Sequence, residues 1–280
     1  MNGKTVLITG GTSGIGLACA IIFFRQGHNV AVMGRNAERG ISAVKEIASI
    51  ALQGKNVNES ADALAACWTD VSMGKIYTLH GKRIYYLQGD IRKYEDCVQA
   101  VNSVVEEFGA IDILVNSAGV YMEKSLDDMT EADYSLIMDT NIKGTYFMTQ
   151  QAAERMKKRN NGAIINISSD AGVQGNMLCS AYCASKGAVN MFTKAMALEL
   201  APWSIRVNCV CPGDVMTPLT ERQLAQYPDR EAALKEMEGI YPLKRLGTPA
   251  EIAAVVAFLA SDKAGFINGA IWSVDGGITA

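Results

Sequence analysis

Val6-Leu7-Ile8-Thr9-Gly10-Gly11-Thr12-Ser13-Gly14-Ile15-Gly16 joins a short apolar run to a glycine-rich turn and to a helical stretch that continues to Gln26. A buried strand, a tight turn and a helix start in that order form an anion site. The glycines let the backbone turn sharply and approach a pyrophosphate, while the helix start offers free N–H groups and the positive end of its dipole. Gly10, Thr12, Ser13, Gly14, Ile15 and Gly16 are therefore candidate dinucleotide contacts.

Outward from this turn the strand–helix alternation repeats. Val30-Ala31-Val32-Met33 follows the helix, and Tyr85-Tyr86-Leu87, Ile111 to Val115, Ala163 to Ile167, Ser204 to Val210 and Ala270 to Val274 supply further strands, each after a helical segment. Continuous apolar runs of this length read as strands buried on both faces. The expected fold is α/β: a doubly wound, Rossmann-type parallel sheet of about seven strands with helices on both faces. No repeat or Pro/Gly/Ser linker divides residues 1–280, so one domain is expected. The irregularity is at residues 48–80, where a connection that is ordinarily two to about six residues becomes far longer. This insertion precedes a strand and is expected at the amino ends of the strands, away from the ligand, with an extra helix near Ser60 to Cys67.

Composition narrows the function. A formal net charge of -3 lacks the basic excess of a nucleic-acid binder, and the run Lys157, Lys158, Arg159 reads as a helix end. The apolar runs Ile21 to Phe24 and Ile252 to Ala260 are too short to span a bilayer, and nothing at Met1 to Lys4 resembles a secretion signal, so a cytoplasmic, non-membrane protein is expected. Seven cysteines, an odd number, argue against a disulfide framework. Cys209-x-Cys211 and Cys179-x3-Cys183 lack a second ligand pair, and the histidines His28 and His80 lie elsewhere, so no metal site is expected.

The turn's T-G-x-x-x-G-I-G spacing resembles the short-chain dehydrogenase/reductase family, and the resemblance runs on through Asp90, Asn116-Ser117-Ala118-Gly119, Asn141, Ser169, Tyr182-x3-Lys186, Pro212-Gly213-x3-Thr217 and Val274-Asp275-Gly276-Gly277. It implies an NADP(H)- or NAD(H)-dependent oxidoreductase that interconverts a ketone and a secondary alcohol. Tyr182 is then the general acid/base, Lys186 favours its phenolate from one helical turn away, Ser169 donates to the substrate oxygen, and Asn141 helps hold a water near the lysine. Asp90 is implied beside the adenine with Ile91, Asn116, Ala118 and Gly119 along the cleft, and Pro212, Gly213, Val215 and Thr217 near the nicotinamide.

Cofactor choice falls just past the second strand, at Gly34-Arg35-Asn36. A carboxylate there would repel a 2′-phosphate, whereas Gly34 makes room and Arg35 can bind one, so NADP(H) is expected ahead of NAD(H). Ser117 replaces the family's usual second asparagine, and Ser13 stands where a basic residue would reinforce the NADP(H) expectation. The substrate, a small carbonyl or alcohol, is expected among loops 120–126 and 170–180 under a lid at 213–240. A 3-oxoacyl-carrier-protein reductase and a catalytically silent dinucleotide sensor are the alternative readings, and the resemblance implies a homo-oligomer, a tetramer by preference.

Overall fold

The computed structural model describes residues 3–52, 68–71, 73–79 and 81–280. In chain order the elements are β1 (Thr5–Thr9), α1 (Gly14–Arg25), β2 (Asn29–Gly34), α2 (Ala37–Leu52), β3 (Trp68–Val71), β4 (Gly74–Leu79), β5 (Lys82–Gln88), α3 (Tyr94–Phe108) and β6 (Ile113–Asn116). There follow α4 (Glu131–Met138), α5 (Gly144–Lys157), β7 (Gly162–Ile167), α6 (Ser180–Leu200), β8 (Ile205–Pro212), α7 (Pro218–Leu224), α8 (Arg230–Ile240), α9 (Pro249–Ala260) and β9 (Ile271–Val274).

One sheet of nine strands runs in the order β3-β4-β5-β2-β1-β6-β7-β8-β9. Seven of these, β5 to β9 in that order, are mutually parallel. Their apolar runs are buried on both faces: Val6, Ile8, Val30 and Val32 pack against α1, α2 and α9, while Leu7, Ala31, Leu114 and Ile164 pack against α3 and α5. Two-sided burial is what turns alternating residues of one strand into a continuous hydrophobic string.

The chain leaves β1 toward β2 on one side and leaves β6 toward β7 on the other, so the connections after β1 and β6 diverge from their carboxyl ends. That divergence opens a crevice. Gly10 holds its floor, with φ +67 and an N–H that donates to Met33 O at 3.0 Å. A Cβ on Gly10 would lie 2.7 Å from the Ala118 backbone, and one on Gly16 would lie 2.4 Å from Gly10 O, so both glycines are required by backbone approach.

The inserted segment differs from expectation. Its described residues 48–52 continue α2, and those from 68 on form β3 and β4, an antiparallel hairpin added to the edge of the sheet beside β5. Because β4 runs antiparallel to β5 and begins opposite Leu87, the hairpin's turn lies at the carboxyl end of β5, where Gln88 N donates to Met73 O at 2.9 Å. The expected placement at the amino ends therefore holds only for the far end of the hairpin. None of the described residues of this hairpin lines the crevice. The helix expected near Ser60 to Cys67 lies outside the described residues. Asp70, which imitates Asp90 in sequence, pairs with Lys75 across the hairpin.

Candidate active site

A cleft of about 910 Å³ lies over the carboxyl ends of the parallel strands. Gly10, Thr12, Ser13, Gly14 and Ile15 line it from the β1–α1 turn, Arg35 and Asn36 from the end of β2, Asp90 and Ile91 from the end of β5, and Ala118 and Gly119 from the end of β6. Ser169, Tyr182, Lys186, Pro212, Gly213, Val215 and Thr217 line the remainder. Ser13, the N-cap of α1, makes no side-chain cap bond. The first N–H groups of that helix thus face the cleft with no intrahelical partner, a cradle that fits a pyrophosphate.

At the adenosine end the space opened by Gly34 is taken up within the protein: a Cβ there would sit 2.8 Å from the Thr12 side chain. Gly34 thus accommodates Thr12, rather than directly clearing a phosphate pocket. Arg35 is exposed at the rim, and Asn36 is committed to α2, its Oδ1 accepting from Arg39 N at 2.8 Å. Arg39, in the first turn of α2, also lines the cleft. No sequence pattern marks this second cation, because Arg35 precedes α2 and no helical register joins the two. Asp90 is clamped by Arg92, with Nη2 at 2.5 Å and Nε at 2.9 Å from Oδ2. Burial pushes the Asp90 carboxyl up, but the hydrogen bonds and charge of Arg92, with the charge of Arg35, outweigh it and hold the group below its ordinary value.

Three of the expected site residues do not line the cleft: Gly16, packed against Gly10 O, and the two asparagines Asn116 and Asn141. Asn116 is buried between strands, donating to Thr149 Oγ1 and to Asn166 Oδ1, both at 2.9 Å. It ties β6 to α5 and β7, and its Oδ1 has no donor among the described residues. Asn141 is 1% exposed and lies in a π-helical turn, Asp139–Lys143, inserted between α4 and α5. Its Oδ1 accepts from Val120 N at 2.9 Å, and its Nδ2 donates to Val120 O and Ser185 Oγ, each at 3.0 Å. The side chain therefore fastens the loop after β6 to α6. A Cβ on Gly119 would lie 3.4 Å from that Oδ1 and 3.5 Å from Lys186 Nζ, which places Asn141 directly behind the lysine.

Tyr182 and Lys186 share one face of α6, with Nζ 5.7 Å from the phenol ring centroid. Lys186 is 5% exposed and donates to Ile167 O, at the end of β7, at 3.0 Å. Burial pulls its ammonium down to about 8, against the smaller opposing effect of Cys209 and Cys211. Burial likewise pushes the Tyr182 phenol up, and the charge of Asp170 adds to this, while a hydrogen bond with Ser169 opposes it. The expected depression by Lys186 is absent from that balance, since the ammonium is turned to the strand-end carbonyl. Tyr121 braces the phenol edge-on, ring centroids 4.9 Å apart.

Ser169 differs from expectation in the direction of its hydrogen bond. Its Oγ donates to Asp170 Oδ1 at 2.7 Å and accepts from Ala171 N at 3.2 Å. An adjacent carboxylate is a stronger acceptor than a carbonyl, so the proton is held there. Over this end lie α7 and α8, linked by Arg230 to both oxygens of Glu221 at 2.9 Å. Asp214 N donates to Tyr241 Oη at 2.7 Å, fixing the start of that segment. Leu219, Gln223, Gln226 and Ile240 reach the cleft from it. Tyr241 carries no local sequence signal, because it reaches the site only through the folded segment.

Among the described residues no cluster of three metal-ligating side chains occurs, and no helix is long and apolar enough to cross a membrane. Residues 70–279 match the family model described as enoyl-(acyl carrier protein) reductase, and residues 4–79 match that described as short chain dehydrogenase. The chain is 34% identical to a cyclopentanol dehydrogenase of Comamonas sp. (strain NCIMB 9872), covering 100% of this chain and 98% of the relative. It is also 34% identical to an NADP-dependent (R)-specific alcohol dehydrogenase of Lentilactobacillus kefiri, again covering 100% and 98%. The solved structure of an actinorhodin polyketide ketoreductase with NADPH superposes with a TM-score of 0.85 at 30% identity, covering 98% of this chain and 97% of that one. With its glycine turn, its sheet order and these matches over its whole length, the chain belongs to the short-chain dehydrogenase/reductase family.

Proposed function

We propose that this oxidoreductase interconverts a ketone and a secondary alcohol with NADP(H), using Tyr182 as the general acid/base. The observation that carries the reading is a single cleft with a helix N-terminus and two arginines, Arg35 and Arg39, at one end, and Tyr182, Lys186 and Ser169 at the other. The nicotinamide, when bound, supplies hydride to the carbonyl carbon or accepts it from the alcohol. Tyr182 gives its phenolic proton to the substrate oxygen during reduction and recovers it during oxidation, and a phenol pushed up by burial stays protonated at neutral pH. Ser169 holds the same oxygen in place once its hydroxyl turns from Asp170 to the substrate, and Asn141 keeps the loop at Gly119 and Val120 against Lys186.

The two arginines support the NADP(H) preference, because guanidinium groups suit a ribose phosphate and both line the cleft beside the end of β2. The names of the Lentilactobacillus relative and of the polyketide ketoreductase agree with this. Tyr182→Phe is expected to lower kcat by about 10²- to 10⁴-fold while NADPH still binds, read by turnover and by fluorescence titration. Wild-type activity is expected to be higher with NADPH than with NADH. Undiminished turnover in the variant would overturn the role of Tyr182, and a preference for NADH would overturn the cofactor assignment.

A further inference from the structure

Asp170 has no part in the hydride and proton transfers described so far. Its side chain is 7% exposed, lines the substrate end of the cleft and forms no ion pair among the described residues. Oδ1 accepts the Ser169 hydroxyl at 2.7 Å. Oδ2 has no donor among the described residues, yet it is not sealed in the interior, so it is an acceptor presented to the cleft. A carboxylate desolvated to this degree and lacking a cation calls for donors.

Ser169 sets the position of the reacting oxygen, and Asp170 is the next residue, its carboxylate one hydrogen bond away. The substrate atom that meets Oδ2 is thus next to the reacting carbon. We propose that Asp170 accepts a hydrogen bond from a hydroxyl on the carbon adjacent to the carbonyl, so that the enzyme acts on neutral α-hydroxyketones and vicinal diols. This rests on the ketone–alcohol reading given above. Oxidation of the diol breaks the carbinol C–H and O–H bonds. The hydride passes to the oxidised dinucleotide and the proton to the Tyr182 phenolate, formed once the phenol has given up its own proton to solvent, leaving the neighbouring hydroxyl intact on Oδ2.

The rest of this end fits the same chemistry. Glu123 and Asp214 add two carboxylates, and Asn176, Gln223 and Gln226 add amides that bond hydroxyls in either sense. Against them stand Lys186, already bonded to Ile167 O, and the exposed Arg222. An acidic end of this kind repels carboxylate and phosphate groups close to the reacting carbon.

The test compares 2-hydroxycyclohexanone, cyclohexanone, 2-aminocyclohexanone and 2-oxocyclohexanecarboxylate as substrates of the wild-type enzyme, with Asp170→Ala and Asp170→Asn assayed in parallel. The hydroxyketone is expected to exceed the plain ketone in kcat/KM by about tenfold to a hundredfold, as for one hydrogen bond to a buried charge, with the carboxylate substrate poorest. In Asp170→Ala that ratio is expected to fall toward one, whatever the accompanying change in kcat for the plain ketone, because removing the carboxylate also frees the Ser169 hydroxyl. Asp170→Asn keeps the shape and is expected to lie between. Equal efficiency of the hydroxylated and plain ketones in the wild type, or a preference for the amino or carboxylate compound, overturns the proposal and leaves the ketone reductase reading intact. Cofactor binding without turnover of any ketone would instead overturn the reading on which it rests.

Discussion

Lys186 shows how burial shapes the chemistry of one residue. Its ammonium sits in a nearly closed pocket with a single carbonyl partner, and desolvation draws its titration down to about 8 from the ordinary 10.5. Two consequences have opposite signs. In the proposed mechanism carbonyl reduction uses the cationic lysine, so kcat/KM for reduction should decline above about pH 8; a profile flat to pH 10 would rule that out. Stability runs the other way. The unfolded chain holds this proton more tightly than the fold does, so between about 8 and 10.5 the unfolded state binds more protons and stability rises with pH. Comparing wild type with Lys186→Met across that window isolates the contribution, which should be missing from the variant. The spacing of Tyr182 and Lys186 was legible because one helical turn brings i and i+4 to one face. The turning of the Ser169 proton toward Asp170 was not, since it depends on a side-chain geometry that adjacency alone does not dictate.

At the scale of elements, the seven parallel strands were readable because each is buried on both faces and leaves an unbroken apolar run. The β3–β4 hairpin was not. In β4 only Ile76, Tyr77 and Leu79 are buried, and Thr69 and Asp70 on β3 are exposed, a pattern too short and mixed to announce a pair of edge strands. The π-helical turn at Asp139–Lys143 was likewise hidden in a helical run, although Gly144 N reaches back five residues to Asp139 O. That extra residue per turn places the Asn141 amide against Val120 and Ser185. Asn141→Ala should therefore cost about 1–3 kcal/mol, the penalty of leaving buried backbone groups unpaired, and should lower kcat more than it raises KM for NADPH. Chemical denaturation and steady-state kinetics measure the two effects. A variant as stable and as active as wild type would mean that this amide does not hold the loop.

Among the described residues α6 carries a long apolar surface exposed to solvent. On α6 the residues opposite the catalytic face, Ala184, Ala188, Met191, Ala195 and Leu198, follow one another at intervals of three or four, forming a stripe down the helix. Met191 is 62% exposed and Leu198 80%, and Tyr146 of α5 stands beside them with its ring 5.2 Å from Phe192. Contiguous exposed surface of this kind marks an interface, and small residues such as Ala184 and Ala188 let a second helix approach closely. A second copy of the chain, related by a two-fold axis, would lay the same stripe on itself. Because Tyr182 and Lys186 stand on the other face of this helix, such packing would also stiffen the support of the site. Light scattering on the eluting protein is expected to give a mass at least twice that of one chain. Met191→Glu combined with Leu198→Glu should reduce it, since two carboxylates would be buried against their own symmetry mates. An unchanged mass in the double variant would move the interface to another face, such as the one bearing Phe258 and Trp272, whose rings stack edge-on at 5.9 Å.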